Sequence, residues 1–502
     1  MDTSELVRDV SVSPKPNPRS SRFTAGLIWF PILVVAGGLA IVYPFPALVG
    51  LAVVAMLGLA WLGIRSIRGA GLELWQVLLL TALTGYTLLN RGFENLTIHI
   101  GIPIIISYML MFSALILGTL AHPGVMRRVR DEPAVMCLAL LLILAFFHLV
   151  EDFPTYGIWA IRDASMFIDG IFMVLGFLWA TSGKSTIFLM KWFMAILPLN
   201  LLYSFTLPWS ETITNLSPRS GVFLQVPIFG NYAGNAIYLL LGALFCVFLA
   251  GYVVKWPRWI LFLLAMAQLA GLAIHQARAL YVALAAILVL LVLVGEAKKS
   301  AKLVLMLAPG LAGILLLSAL GIELSGRIGV VSVDFLKEHL RSISGAEGTP
   351  GSSVAGRLNW LDQTFDHIRA HPVYGGGFGM VLIDESDTNT GAAIRQPHNS
   401  SISVLARMGA IGLLPWLAFH VCLLSRFIYA LWRRREYDKQ LGDLILWLFI
   451  VYLIYMIESN VEPSFEFPSA SIPFYFYMGL ALGLIRWQLP RRAERKLVYS
   501  HA

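Results

Sequence analysis

The sequence predicts an all-α polytopic membrane protein with about fourteen transmembrane helices and one long outer loop carrying short amphipathic helices. Three observations lead to this fold class. The 502-residue chain is 58% hydrophobic and only 13% charged, against about 25% charged residues in a soluble domain. Apolar runs of bilayer length recur along it, and its mean hydropathy is +0.75. Finally, the loops between those runs alternate between basic and basic-poor.

A helix needs about 20 largely apolar residues to cross the hydrocarbon core. Such runs fall at 24–43, 46–64, 74–89, 100–120, 133–150, 163–181, 190–207, 228–250, 258–276, 279–295, 303–321, 401–431, 441–457 and 470–488. The third, tenth and thirteenth are short, and the twelfth is long enough to tilt or protrude. Residues 1–23 are polar and Pro/Ser-rich, and no small-residue cleavage site follows the first apolar run. They read as a retained cytoplasmic tail ahead of a signal anchor. The expected organisation is that tail, a bundle of about eleven spans over 24–321, a loop over 322–400, three further spans over 401–488, and a second cytoplasmic tail over 489–502.

Loop charge orients the bundle. With the N-terminus inside, the inner loops carry Arg65 and Arg68; Arg127, Arg128 and Arg130; Lys184; Lys255 and Arg258; Lys298, Lys299 and Lys302; and Arg433, Arg434, Arg435 and Lys439. The tail adds Arg491, Arg492, Arg495 and Lys496. The outer loops are basic-poor, and the one around Glu458, Glu462 and Glu466 is acidic. The net charge of +8 therefore serves topology. It forms no contiguous basic groove, so no nucleic-acid partner is expected. Cys137, Cys246 and Cys422 all lie in apolar stretches, which implies neither a disulfide framework nor a thiolate metal site.

This orientation puts the loop from Ile322 to Ser400 on the outer face, too long to be a mere connector. Within it Leu358, Leu361, Phe365 and Ile368 recur at helical spacing, with Asn359, Asp362, Asp366 and Arg369 between them. That is an amphipathic helix lying on the membrane or roofing a cavity. Ser352 or Ser353 caps it and His371-Pro372 ends it. Gly375, Gly376, Gly377 and Gly379 then allow close backbone approach or a hinge.

Candidate chemistry clusters on the same face. Arg219, in Ser217-Pro218-Arg219-Ser220-Gly221, reads either as a headgroup anchor or as a guanidinium clamp for phosphate. Arg278 follows His275-Gln276-Ala277 at a tight junction between two spans, with the same two readings. Arg357 and Arg395 supplement an anion site or are solvated charge. His398-Asn399-Ser400 directly precedes the twelfth span: Asn399 or Ser400 suits helix capping, and His398 suits proton acceptance near neutral pH. Asp384-Glu385-Ser386-Asp387 reads as solvated loop charge, and neither an HExxH motif nor Cys/His ligand spacing occurs.

Taken in order, these residues resemble the O-antigen ligase and polymerase superfamily of bacterial envelope glycosyltransferases. The resemblance covers about Ser217 to Pro415. It consists of Arg219 followed by Phe229-Gly230-Asn231-Tyr232, then Gln276-Ala277-Arg278-Ala279, then a long loop with Gly356-Arg357 and Trp360. Pro372 and its glycines follow, then His398-Asn399 and the Gly409-Ala410-Ile411-Gly412 span. The chain departs from the pattern in having a single Arg-x10-Gly spacing, from Arg219 to Gly230, and its first seven spans carry no family motif.

The resemblance implies a GT-C-like, metal-independent enzyme with no cofactor in the bacterial inner membrane, both termini cytoplasmic. It would move a glycan from undecaprenyl diphosphate to a sugar hydroxyl of an acceptor glycan at the periplasmic face. Carried over by position, Arg219 and Arg278 bind the diphosphate, and His398 orients or deprotonates the acceptor hydroxyl. Arg357, Arg395, Asn399, Trp360 and Gly376 make up the expected substrate-binding set. The first expectation is a polymerase of O-antigen or exopolysaccharide repeat units, with a chain-length regulator or flippase as partner. A ligase acting on lipid A-core is the alternative. Two other classes stand beside these: a transporter of an anion or lipid-linked sugar, for which Asp169 inside the sixth span is the coupling candidate, and a non-catalytic scaffold.

Overall fold

The computed structural model describes residues 71–487, except 101, 182, 320–325, 328, 332–333, 335–336, 338–352 and 384–394. The first two expected spans, both tails, the Ser352 cap and the acidic run from Asp384 to Asp387 lie outside the described residues.

The described chain is mainly helical. Its principal helices are α1 (Leu74–Leu89), α2 (Ile106–Ala121), α3 (Pro133–Tyr156), α4 (Ile158–Ile168), α5 (Met173–Ala180), α6 (Gly183–Ser204) and α7 (Asn235–Phe248). They continue as α8 (Arg258–His275), α9 (Arg278–Leu293), α10 (Ala297–Ala319), α11 (Ser353–Ala370), α12 (Ser400–Trp432), α13 (Lys439–Glu458) and α14 (Pro468–Trp487). Among the described residues, 7 helices are long and apolar enough to cross a membrane, or up to 8 if the bent pair at His122 is one span. The 16-residue α1, the 14-residue α7 and the 16-residue α9 are apolar but shorter.

Two short hairpins interrupt the all-α bundle and shift two expected span boundaries. Thr97–Ile100 pairs antiparallel with Ile102–Ile105, so the span expected from residue 100 begins only at Ile106. Isoleucine-rich, β-branched sequence favours the extended chain here. Arg219–Ser220 pairs with Val226–Pro227, and the span expected from residue 228 starts only at Asn235. The sixth expected span is one apolar length, Ile158–Ala180, interrupted by a 3-10 turn over Asp169–Phe172. The twelfth does not simply tilt or protrude. Its 33 residues would rise about 50 Å, more than a bilayer needs. The helix instead breaks at Gly409 (φ 60°, ψ −162°), leaving 410–432 as a bilayer-length piece.

The core is densest where α14 meets α5. Window for window α14 is 94% enclosed by protein. Backbone approach is close enough there that a Cβ on Gly479 would lie 1.9 Å from the Met173 carbonyl oxygen, and one on Gly176 2.1 Å from that of Phe476. Small residues at helix crossings do this in membrane bundles. The buried Asp169 accepts hydrogen bonds from the hydroxyls of Tyr108 (2.9 Å) and Ser471. Its burial is thus accounted for by partners on neighbouring helices.

Among the described residues, two of the basic loop residues, Lys299 and Arg434, meet around one buried carboxylate. Asp443 binds Lys299 (2.6 Å), Arg434 and the Tyr252 hydroxyl (2.8 Å), and Arg434 also pairs with Glu296 at 2.7 Å. Glu132 holds Arg426 at 2.8 Å and Arg486 at 3.4 Å. Arg278, His398 and Glu462 lie at the other ends of α9, α12 and α13 from these pairs.

Candidate functional site

The site is assembled by the α8–α9 junction, α11, the start of α12 and the link between α13 and α14. At the junction Gln276 takes left-handed backbone (φ 53°) and Ala277 an extended one, which sets Arg278 at the first turn of α9. The Gln276 side chain brackets the following loop: its Nε2 donates to the Gly329 carbonyl (2.9 Å), and its Oε1 accepts from the Gly329 amide (3.2 Å). Arg327 is fixed alongside, its amide donating to the Ile274 carbonyl and its Nε to that of His275, each at 3.1 Å. Both bonds use carbonyls at the frayed end of α8, which have no helical partner.

On the other side, α11 presents Arg357 and Trp360 on successive turns. Trp360 and Ile368 pack against a small cluster of Leu382, Ile383 and Ala406, which seats the amphipathic helix over the start of α12. Arg357 Nη2 donates to Glu462 Oε1 at 3.0 Å. The second oxygen of that carboxylate lies 3.6 Å from His398 Nδ1. The imidazole also leans on Trp360, ring centres 4.9 Å apart. His398 has φ 54°, a left-handed conformation rare outside glycine and frequent at functional positions.

Asn399 caps α12 as expected. Its side-chain oxygen accepts from the Ile402 amide at 3.1 Å, while its Nδ2 donates to the backbone and side-chain oxygens of Asn460, each at 3.3 Å. The Ser400 amide donates to Ser459 O at 2.8 Å. His398 is therefore held between the cap of α12 and the α13–α14 link. Charge is concentrated here: Arg278 stands in the positive fields of Arg357 and Arg327, and buried Glu458 in the negative field of Glu462 and the positive fields of Arg327 and Arg357.

The glycine loop forms the adjoining wall. The break at Gly409 separates the Ala406 and Arg407 carbonyls from the Ala410 and Ile411 amides that would normally bond them. The loop supplies all four missing partners. Gly376 and Gly377 donate to the Ala406 and Arg407 carbonyls (2.8 and 2.9 Å), and Ala410 and Ile411 donate to those of Pro372 and Val373 (3.0 and 3.2 Å). Such approach excludes a side chain: a Cβ on Gly375, which has φ 85°, would lie 2.4 Å from the Arg407 backbone. Gly376, expected among the substrate-binding residues, thus commits its amide to the helix break.

Beneath that wall lies Asp163, fully buried on α4. It pairs with Arg407 at 2.7 Å, Arg162 at 2.9 Å and Arg395 at 3.4 Å, and accepts from the Gly379 amide at 2.9 Å. Arg395 also donates to Gly379 O, and its guanidinium lies 4.3 Å over Trp159. Burial pushes the Arg395 guanidinium down, with Asp163 opposing. Arg395 is therefore engaged by protein groups that set the segment leading to His398.

Arg219 stands elsewhere, exposed on the second hairpin, and its guanidinium makes no hydrogen bond or ion pair among the described residues. Its electrostatic neighbour is Tyr232, whose hydroxyl donates to Pro227 O. Burial pushes that phenol up, while Arg91 and Arg219 work the other way.

Of the expected residues, the structure gathers Arg278, Arg357, Trp360, His398 and Asn399; Arg395 and Gly376 support the adjoining wall. Sequence reasoning missed Arg327, Glu458, Glu462, Asp163 and Arg407. Glu458 and Glu462 had a signal, the acidic loop, which was read only for topology. Among the described residues no group of three or more His, Cys, Asp or Glu is placed to hold a metal ion.

A family model described as O-antigen ligase matches residues 262–417. The match takes in Arg278, Arg327, Arg357, Trp360, Arg395, His398, Asn399 and Arg407 and ends before the α13–α14 link. No curated protein matches the chain significantly.

Proposed function

Residues 262–417 belong to the O-antigen ligase/polymerase superfamily, and from that premise we propose that this membrane protein polymerises undecaprenyl-diphosphate-linked repeat units of an O-antigen or exopolysaccharide. The observation that carries the reading is that Arg357 and His398 share the Glu462 carboxylate, with Arg278 in the electrostatic reach of Arg357 and Arg327.

Three guanidiniums suit a diphosphate, whose oxygens accept charge-assisted, paired hydrogen bonds. Bound there, the donor presents its anomeric carbon toward His398. An acceptor sugar hydroxyl loses its proton to the imidazole as its oxygen bonds to the anomeric carbon. The carbon–oxygen bond to the diphosphate breaks, and lipid diphosphate leaves carrying the electron pair. Negative charge grows on that leaving group, and fixed cations beside a low-dielectric bundle stabilise it. Trp360 offers an aromatic face for a sugar ring. Arg219, on its own hairpin, serves as a further contact for the donor.

Alternation of basic loops supports placing this end at the periplasmic face of the inner membrane, with both termini cytoplasmic and about fourteen spans in all. An acceptor glycan and a chain-length regulator or flippase complete the proposed partners. A ligase reading, transfer to lipid A-core, shares this chemistry and is favoured by the description of the matching family.

The test uses purified protein in nanodiscs and lipid-linked glycan extracted from cells lacking the protein. A product ladder supports polymerisation, whereas transfer only after lipid A-core is added supports ligation. His398→Ala and Arg278→Ala are each expected to lower turnover by about 10²–10³-fold. Near-normal turnover in the His398 variant would remove its assignment as base.

A further inference from the structure

We propose that Glu462 is a positioning residue for His398, turning Nδ1 toward its carboxylate so that Nε2 becomes the basic nitrogen. The inference rests on His398 acting as base. It concerns a residue outside the matched segment, supplied by the link between α13 and α14.

Geometry supports it. The link is a fixed turn: the Glu462 amide donates to Glu458 O at 2.9 Å, and Ser464 donates to Glu462 O at 2.8 Å. From there the carboxylate reaches two groups at once, Arg357 at 3.0 Å and His398 Nδ1 at 3.6 Å. Arg357 holds the carboxylate on one side, and Trp360 limits the imidazole on the other. A histidine whose Nδ1–H faces a carboxylate has its tautomer and ring orientation set, which leaves the Nε2 lone pair for the reaction.

Charge balance makes the same assignment. Glu462 is the charged group placed at the His398 ring, and Arg357 from α11 shares that carboxylate; Arg278 from the α8–α9 junction and Glu458 from α13 lie in the electrostatic reach of Arg357, and Arg327 in that of both. A cation beside an imidazole disfavours its protonated form, and the proposed diphosphate binding uses Arg357 on this side. Glu462 is the anion placed directly on the ring, so it sustains basicity that the donor site would otherwise suppress. Its position also explains why one carboxylate is shared between an anion-binding arginine and the base.

The sign follows. A base works when deprotonated, so turnover rises with pH through the imidazole pKa. Removing the carboxylate lowers that pKa and moves the acid limb to lower pH. Glu462→Gln keeps the shape and removes the charge. Turnover of lipid-linked glycan should fall about 10–100-fold, as on loss of an outer partner that orients a histidine. The KM for that donor should change little, and the acid limb of kcat/KM should move to lower pH.

A raised KM with kcat retained, or an unmoved limb, would overturn the proposal and leave Glu462 as a counter-ion of Arg357. If turnover is too low for a profile, the His398 imidazole is titrated by NMR, its signal identified by its loss in His398→Ala. A lower pKa in Glu462→Gln supports the proposal, and an unchanged one overturns it. Should the glutamine variant fail to fold, Glu462→Asp is used, which keeps the charge but withdraws it: a kcat loss at constant KM supports the role, and wild-type kcat sinks it. His398→Ala is run in parallel. An inactive His398 variant beside a fully active Glu462→Gln overturns only the positioning role, whereas an active His398 variant removes the base itself.

Discussion

Asp163→Ala is the most demanding perturbation of this architecture, because one buried carboxylate serves three guanidiniums and a backbone amide. Arg407 is 1% exposed at its side chain and Asp163 0%, with 2.7 Å between them. Arg395, 10% exposed, shares the same oxygen at 3.4 Å. Alanine would leave Arg407 buried beside Arg395 with no anion between them. Breaking a buried pair from one side costs about 3–5 kcal/mol, chiefly because the remaining charge is stranded.

Both arginines also donate to backbone of this wall, Arg407 to Met380 O and Arg395 O, and Arg395 to Gly379 O. The penalty should therefore appear first as local opening of residues 372–380 from the break in α12. At about 1.4 kcal/mol per factor of ten, 3–5 kcal/mol raises the open fraction by about two to three and a half powers of ten. Hydrogen exchange resolved by peptide measures this directly. The amides of Gly376, Gly377, Ala410 and Ile411 should lose protection, while those of α14 should keep theirs. Transfer activity should fall with the opening, since Arg395 leads into His398. Unchanged exchange in the loop would refute the reasoning, and so would equal losses in the loop and in α14.

Two further outcomes follow from packing and capping. Gly479→Val should lower thermal stability by about 1–3 kcal/mol through overpacking against Met173, read as an earlier melting midpoint in detergent; an unmoved midpoint would contradict the close approach. Asn399→Ala should cost about 1 kcal/mol and speed exchange at Ile402, with Asn399→Asp restoring most of the protection because it keeps the capping oxygen; equal exchange in all three proteins would deny the cap.

Much of this protein was legible in order along the chain. From Leu74 onward each expected apolar run contains helix, because bilayer-length hydrophobicity is a local property that reads without knowing what packs on what. The amphipathic helix was legible for the same reason, since Leu358, Leu361, Phe365 and Ile368 declare a face by spacing alone. Asn399 announced a cap through its own chemistry and position. Boundaries were less legible where a run changed structure midway, as at Thr97–Ile105, where apolar residues form a hairpin instead of a helix turn.

What only the tertiary structure decided is which polar groups share a space. The sequence ranked Arg219 with Arg278, yet Arg278 lies in the fields of Arg327 and of Arg357, the arginine that shares Glu462 with His398, while Arg219 stands on a hairpin beside Tyr232. Nor could spacing show that Glu462, more than sixty residues after His398, faces its imidazole, or that Asp163 on α4 anchors Arg395 and Arg407. The glycine run, which suited close backbone approach or a hinge, is the complement of a broken helix, a relation created by two distant segments whose unsatisfied amides and carbonyls match. Hydrophobic periodicity is encoded by neighbours in sequence and so survives reading in one dimension. Buried charge must find its counter-charge in three dimensions, and that pairing exists only once the helices have packed.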